Sequence, residues 1–106
     1  MNFNRLAQEI HANAVAKGLN APDETLIVAL GHVFDELTEV LDEQEAGHDV
    51  AEIYVKHGKP EGVPIELADI IIRVLSYCGK ESIDIDSAIR AKMKFNATRT
   101  YEGGKL

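Results

Sequence analysis

The chain has 106 residues, of which 45% are hydrophobic and 27% are charged, a balance that is typical of a globular protein. Its net charge of −7 argues against general nucleic-acid binding, which needs a cationic surface. No apolar run is long enough to span a bilayer, the first ten residues do not resemble a secretory signal, and the single cysteine excludes an internal disulfide. We therefore expect one cytoplasmic domain over residues 1–106, with neither nucleic acid nor membrane as a partner.

The charge is divided unevenly along the chain. Residues 1–89 carry 6 Lys and Arg against 17 Asp and Glu, whereas residues 90–106 carry 5 basic residues and Glu102 as their one acid. A basic tail beside an acidic body suits an anion that is bound through a metal ion. It equally suits a solvated acidic surface with a loose basic end, and both interpretations stay open at this point.

Two amphipathic helices are predicted in the first half of the chain. Apolar residues at helical spacing predict the first helix over residues 3–17, and Gly18 ends it. The second helix should run from about Glu24 to Ala46. Asp23 is placed to cap its beginning, and Gly47 is placed to follow its end.

The segment after the second helix, residues 47–62, is predicted to be a connector with one short helical turn near Val50–Val55. Strand signals are weak, since β-branched runs such as Ile70–Ile72 lie inside a helical pattern. Pro64 suits the first turn of a third helix, which should reach about Gly79. Three residues of this helix, Ile65, Ala68 and Ile72, lie outside its main apolar face. A helix that is apolar nearly all round is buried from two sides, which favours self-association.

A fourth helix is predicted from Ile85 to about Asn96, with Asp84 or Asp86 as its cap, and the tail TRTYEGGKL is predicted to be irregular. The sequence therefore predicts an all-α fold, a four-helix bundle.

Two acid pairs occur in similar settings in the second and third predicted helices. Glu36 and Glu39 lie in FDELTEVL, and Glu66 and Asp69 lie in IELADIII. At about 100° per residue, each pair falls on the edge of the apolar face of its helix. Packing the two apolar faces together would bring the four carboxylates into one small volume, where they repel each other unless they take up protons or bind a cation.

Oxygen ligands without a thiolate or a histidine pair favour Mg²⁺ or Mn²⁺ over zinc. Acid pairs of this spacing are also common on exposed helix surfaces, where they are solvated and bind no metal. From the residues alone, a metal site and a solvated acidic surface both stay open.

Further polar residues accompany the acids. Arg73 follows Asp69 by four residues, so it forms a local ion pair or contacts a phosphate or base. His32 precedes Glu36 by one turn and either supports the acids or pairs with Glu36. Cys78 lies on the apolar face of the third helix, where a small core residue is expected.

The basic tail offers a row of polar residues that could face a phosphate. Lys92, Asn96 and Arg99 are spaced four and three residues apart, so they share one stripe if the helix continues that far. A cationic row beside a metal held by acids suits a triphosphate. The same residues can equally be ordinary solvated cations.

The acid pairs, together with KPEGVPIELADIIIRVL at residues 59–75 and AIRAKMKFNATRTYEGGK at residues 88–105, resemble the MazG-like all-α nucleoside triphosphate pyrophosphohydrolases. The resemblance implies a MazG-like bundle that assembles as a homodimer or homotetramer. It implies a hydrolase, with Mg²⁺ as cofactor and Mn²⁺ as a substitute. The substrate would be a nucleoside triphosphate, more specifically a dNTP. It would be cut to the monophosphate and pyrophosphate for nucleotide-pool cleansing.

The resemblance also implies roles for individual residues. The four acids bind the metal and carry catalysis: Glu36, Glu39, Glu66 and Asp69. We expect the nucleotide to be bound by Lys92, Asn96, Arg99, Tyr101, Arg73 and His11. Members of the family often carry aromatic residues that stack on the base, whereas this chain has no Trp.

Two other functions stay open at this stage. One is a hydrolase of another nucleotide pyrophosphate, such as a phosphoribosyl-ATP-like compound, because the acid pairs do not distinguish between these substrates. The other is a non-catalytic helical interaction module, whose acids only keep it soluble.

Overall fold

The computed structural model describes residues 2–19 and 24–100, which form four helices and one two-stranded hairpin. In chain order the elements are α1 (Phe3–Ala16), α2 (Leu26–Glu45), β1 (Tyr54–Lys56), β2 (Lys59–Glu61), α3 (Val63–Lys80) and α4 (Ile85–Thr98). This part of the chain is thus mostly helical, as the sequence predicts. None of the helices in these ranges has both the length and the apolar composition needed to cross a membrane.

Side chains and glycines end the helices close to where the sequence predicts. Gly18 and Gly47 follow α1 and α2 with φ of 68° and 87°, a conformation that glycine adopts without strain. At the start of α2 the hydroxyl of Thr25 accepts the N–H of Val28. The predicted cap, Asp23, lies outside the described residues, and the capping bond at this helix end is made by Thr25.

At the start of α4 the structure distinguishes between the two predicted caps. Asp84 is the N-cap, and its Oδ1 accepts the N–H of Ser87 at 3.1 Å. Asp86 instead accepts the N–H of Phe3 at 2.9 Å, which ties the beginning of α4 to the beginning of α1.

The connector between α2 and α3 contains one hydrogen-bonded turn, in which the N–H of Glu52 donates to the carbonyl of Asp49 at 3.0 Å, and then a hairpin that begins at Tyr54. The short helical turn predicted near Val50–Val55 is therefore present at its beginning and wrong from Tyr54 on. β1 and β2 are antiparallel, with Tyr54 opposite Glu61. His57 and Gly58, the two residues between the strands, both have positive φ, as the tightest hairpin turns require. Strands of three residues are too short to show an alternating pattern in the sequence, which explains the wrong prediction.

Helix α3 is the central element, with α1 packed along one side and α2 along another. The buried core between α1 and α3 consists of Ala7, Leu75 and Cys78, which confirms the prediction for the cysteine. Phe3, Leu6, Ile10 and Ile85 pack around it. Gly79 permits the close approach of α1, since a β-carbon there would collide with the carbonyl oxygen of Ala7.

The side of α2 that meets α3 is not the predicted apolar face. Ala29 and Glu36, seven residues apart on one stripe, are the buried residues of α2. Helical spacing predicts an apolar face that contains Leu30, Val33, Leu37, Val40 and Leu41. Of these, Leu30, Leu37 and Leu41 are 46%, 43% and 56% exposed, whereas Val33 and Val40 are half-buried. The expectation that the acids lie at the edge of the packed faces is therefore wrong for Glu36. Because α3 alone packs extensively against α2 among the described elements, one stripe of α2 is covered, and that stripe carries the acid.

Candidate metal centre and adjoining cleft

The four predicted acids converge between α2 and α3. Glu36, Glu39, Glu66 and Asp69 each offer one carboxylate oxygen, and these four oxygens lie within 4.8 Å of one another. Within each pair, the spacing of three residues places both side chains on one side of the helix. Because α2 packs against α3, the two pairs face one volume.

Two of these carboxylates are buried without complete hydrogen bonding. Glu36 and Glu66 are each only 7% exposed, whereas Asp69 is half-buried and Glu39 is exposed. Oε2 of Glu36 and Oε2 of Glu66 have no hydrogen-bond partner among the described residues. Burying a carboxylate oxygen without a partner is costly, so this arrangement calls for a proton or a cation.

One arginine compensates part of the charge. Arg73 donates from Nε and from Nη2 to Oε1 of Glu36, each at 3.3 Å. Its ion pair therefore crosses from α3 to α2 and does not follow the local pairing with Asp69 that the sequence offers as one interpretation. The guanidinium is half exposed and reaches one of the four carboxylates, so most of the negative charge is left to other partners.

The pKa values of the two buried acids reflect this crowding. Burial is the largest cause, followed by the hydrogen bond and the charge of Glu39, and together they raise the pKa of Glu66 from 4.5 to about 7. The same causes raise the pKa of Glu36, against the opposing effect of Arg73. Both carboxyl groups therefore keep a proton to a higher pH than an ordinary glutamate does when no cation is bound.

The donor set fits a hard divalent cation. All four candidate ligands are carboxylate oxygens, which suit Mg²⁺ and Mn²⁺, and no sulfur or imidazole belongs to this group of ligands. A bound cation would also provide the partner that the buried Oε2 of Glu36 lacks.

A cleft of about 380 Å³ adjoins the acids and is bounded by α1, α2 and α3. Glu24, Glu36 and Asp69 contribute its acidic part. Three basic side chains also line it, and of these only Arg73 is predicted from the sequence to contact a ligand: Lys17, Arg73 and Lys80. His32 and Tyr77 add ring surfaces. A ligand in this cleft would meet acids and cations together.

A signal for some of the missed residues was present in the sequence. Arg73, Tyr77 and Lys80 follow Asp69 at intervals of four, four and three residues, so all lie on one stripe of α3. In contrast, Lys17 follows the last turn of α1, and no spacing relates it to the acids. Its place in the cleft depends on how α1 packs against α3.

The other predicted nucleotide contacts lie elsewhere in the described structure. Lys92, Asn96 and Arg99 belong to α4 or its C-terminal cap and do not line the cleft. Lys92 and Arg99 instead lie over the ring of Phe95, at 5.3 and 5.4 Å from its centre. His11 lies on α1 where that helix crosses Gly79 and also does not line the cleft. Tyr101 lies outside the described residues.

Comparison of the chain with protein-family models, with curated proteins and with solved structures gave no match. The resemblance that the acid pairs indicate thus stays a prediction. What the site does is inferred from its own residues.

Without divalent cations, we expect the folded protein to lose stability as the pH rises from about 4.5 to about 7. The pKa of Glu66 is about 7 in the folded protein against 4.5 for an ordinary glutamate, so in this range the folded state holds a proton that the unfolded chain has released. The stabilisation is complete below the lower value and is lost as the pH passes the upper one. Urea unfolding in EDTA, repeated across this pH range, measures the change.

The variant Glu66→Gln should reduce the pH dependence, because the neutral amide mimics the protonated acid. Glu45→Gln, which removes an exposed acid of the same charge on α2, serves as the control and should leave the pH dependence unchanged. A wild-type stability that is constant or rises over this range would contradict the prediction.

Proposed function

We propose that the protein is a Mg²⁺-dependent nucleoside triphosphate pyrophosphohydrolase of MazG-like type, which cuts a nucleoside triphosphate, most simply a dNTP, to the monophosphate and pyrophosphate. The observation that carries the proposal is the convergence of four carboxylates, two of them buried, beside a cleft lined by three cations. The acids alone fit any divalent-cation site. The adjoining cations supply what a polyphosphate chain needs to be bound and oriented.

The four acids would hold the cation: Glu36, Glu39, Glu66 and Asp69. When bound, Mg²⁺ neutralises phosphate oxygens and lowers the pKa of a coordinated water. Lys17, Lys80 and Arg73 would bind the phosphate oxygens that face the cleft and would thereby orient the triphosphate. Glu39 is the exposed member of the four acids and is best placed to accept the proton of the attacking water.

The base would lie against the ring surfaces of the cleft. Tyr77 lines the cleft, and the ammonium group of Lys80 is 5.3 Å from the centre of its ring. A tyrosine in this position provides the stacking surface that a chain without Trp otherwise lacks. Stacking on a ring is tolerant of base identity, because every base has a flat face.

The reaction is tested by its products. The protein is incubated with a panel of dNTPs and NTPs, with Mg²⁺ or with EDTA, and pyrophosphate and phosphate are both measured. Pyrophosphate release that requires Mg²⁺ supports the proposal, and release of single phosphates indicates a different hydrolase. If no triphosphate is cut, cleavage of a phosphoribosyl-ATP-like compound would indicate the related hydrolase, and no product at all would favour a non-catalytic module.

Loss of a single metal-binding carboxylate should abolish turnover without unfolding the protein. We expect Glu39→Gln and Asp69→Asn to lower kcat by about 10²-fold or more, a loss typical of removing one electrostatic contact in an active site. Steady-state pyrophosphate release measures it, and circular dichroism checks that the helices remain. Asp42→Asn, which removes an exposed acid on the same helix, is the matched control and should keep full activity. Activity retained in both site variants would rule out this assignment.

The cleft cations, rather than those of α4, should determine how tightly the triphosphate binds. We expect Lys17→Gln and Lys80→Gln each to raise KM by about 10- to 100-fold, because a hydrogen bond to a charged group contributes about 1.5–3 kcal/mol. The paired variants are Lys92→Gln, which tests the contact that the resemblance implies, and Lys56→Gln, an exposed lysine of β1. If Lys92→Gln raises KM and the two cleft variants do not, the substrate lies along α4 instead.

We also propose that the chain forms a homo-oligomer. Its accessible surface is 7870 Å², whereas a folded monomer of 11.6 kDa exposes about 5800 Å². Its radius of gyration is 16.1 Å, against about 13 Å for a compact domain of this length. The excess of about 2000 Å² is comparable with the surface that protomers bury in permanent assemblies. The exposed apolar face of α2 is the natural place for that contact.

Light scattering should give a mass of two or four times 11.6 kDa. Phe34 is 67% exposed on α2, and Phe34→Glu should lower the mass towards that of one chain, since a charge on an apolar contact opposes association. Arg5→Glu introduces the same charge on the exposed surface of α1 and should leave the mass unchanged. A wild-type monomer would contradict this proposal.

A further inference from the structure

A second group of acids lies next to the first. Glu43, Glu61 and Glu66 each offer one carboxylate oxygen, and these three oxygens lie within 4.8 Å of one another. They come from three elements: the last turns of α2, the end of β2 and the first turn of α3. Glu66 belongs to both groups, so the two clusters share one carboxylate.

The burial of Glu66 without a complete set of partners is the observation that indicates a ligand. Glu66 is 93% buried, and its Oε2 has no hydrogen-bond partner among the described residues. Within the ranges that the structure describes, no lysine or arginine lies at ion-pair distance from Glu66. The arginine of the site, Arg73, contacts Glu36 instead. A buried carboxylate in such surroundings needs a positive partner that the described part of the chain does not provide.

Charge balance favours more than one cation. The two clusters together contain six carboxylates. Arg73 and one divalent cation would balance three of these six negative charges, and a second divalent cation would balance five. Two other basic groups lie at the rim: His48 is 3.9 Å from Glu43, and Lys59 is 3.8 Å from Glu61 but largely exposed. An ion pair with a side chain as exposed as that of Lys59 contributes little.

Two features of the hairpin hold Glu61 beside Glu43 and Glu66. Tyr54, directly opposite Glu61 in the strand pair, donates its hydroxyl to the carboxylate of Glu43 at 2.9 Å. Gly62 then turns the chain from β2 into α3 with φ of 122°, and a β-carbon there would collide with the carbonyl oxygen of Glu52. The hairpin is thus fastened to α2 and α3 on both sides of Glu61.

We propose that Glu43, Glu61 and the shared Glu66 bind a second divalent cation, Mg²⁺ or Mn²⁺, beside the cation held by the first four acids. The inference depends on the cation site of the proposed function and does not depend on the reaction. Carboxylates that bridge two cations are a common feature of two-metal centres, where the ions lie about 3.5–4 Å apart.

Manganese binding tests this proposal without any nucleotide. The full chain is titrated with Mn²⁺, and free and bound ions are measured by electron paramagnetic resonance. We expect about two Mn²⁺ per chain in the wild type, with the signal of a magnetically coupled pair. Glu43→Gln and Glu61→Gln should each bind about one and lose the coupled signal. In Glu43→Gln the amide oxygen can still accept the Tyr54 hydroxyl, so the hairpin keeps its anchor.

Three controls separate ligands from structural residues. Asp42→Asn removes a neighbouring exposed acid and should keep both ions. Tyr54→Phe removes the anchoring hydrogen bond while keeping all six carboxylates, and it should also keep both ions. Circular dichroism confirms that each variant retains its helices.

One Mn²⁺ per chain in the wild type, or two in both glutamine variants, would overturn the inference, as would loss of an ion in Asp42→Asn. Two coupled ions in a protein that releases no pyrophosphate would reject the proposed reaction and support the second site. Pyrophosphate release with a single bound ion would support the proposed reaction and reject the second site. If the protein binds no Mn²⁺ at all, both the proposed metal-dependent reaction and the second cation site are overturned.

Discussion

The burial of like charges is the constraint on which this structure depends. Glu36 and Glu66 are buried where α2 meets α3, at a position where two apolar side chains would pack without an electrostatic cost. Carboxylates there repel each other and lose their hydration, which raises their pKa values. Arg73 offsets part of the repulsion at Glu36. The contact between these helices is therefore better suited to binding a cation than to stabilising the fold.

The remaining stability of the fold comes from elsewhere. Helix α1 forms the buried core with α3 through Ala7, Leu75 and Cys78, and the approach of the two backbones depends on Gly79. Helix α4 is attached to the beginning of α1 by polar contacts, in which Asp86 accepts the N–H of Phe3 and Asp84 accepts the side-chain amide of Asn4. This core is small, and the apolar face of α2 is exposed. A second chain that covers this face would supply the burial that the single chain lacks.

The four helices were predictable because their signals are local. The glycines after α1 and α2, Pro64 in the first turn of α3 and the cap Asp84 act within a few residues of themselves. The convergence of the acid pairs followed from their spacing and from the expectation that α2 packs on α3. The hairpin was missed, because its strands of three residues carry too few positions for a pattern. Glu61 consequently had no predicted role.

The sequence by itself determined which residues share a stripe of a helix and where each helix ends, because both follow from the geometry of neighbouring residues. The tertiary structure decided which stripe of α2 is covered, and therefore that Glu36 is buried while Leu37 is exposed. It also decided that Arg73 pairs across to Glu36 and that Lys17 reaches the cleft. These outcomes depend on how whole helices pack, and helical spacing along one segment carries no information about which neighbour will cover it.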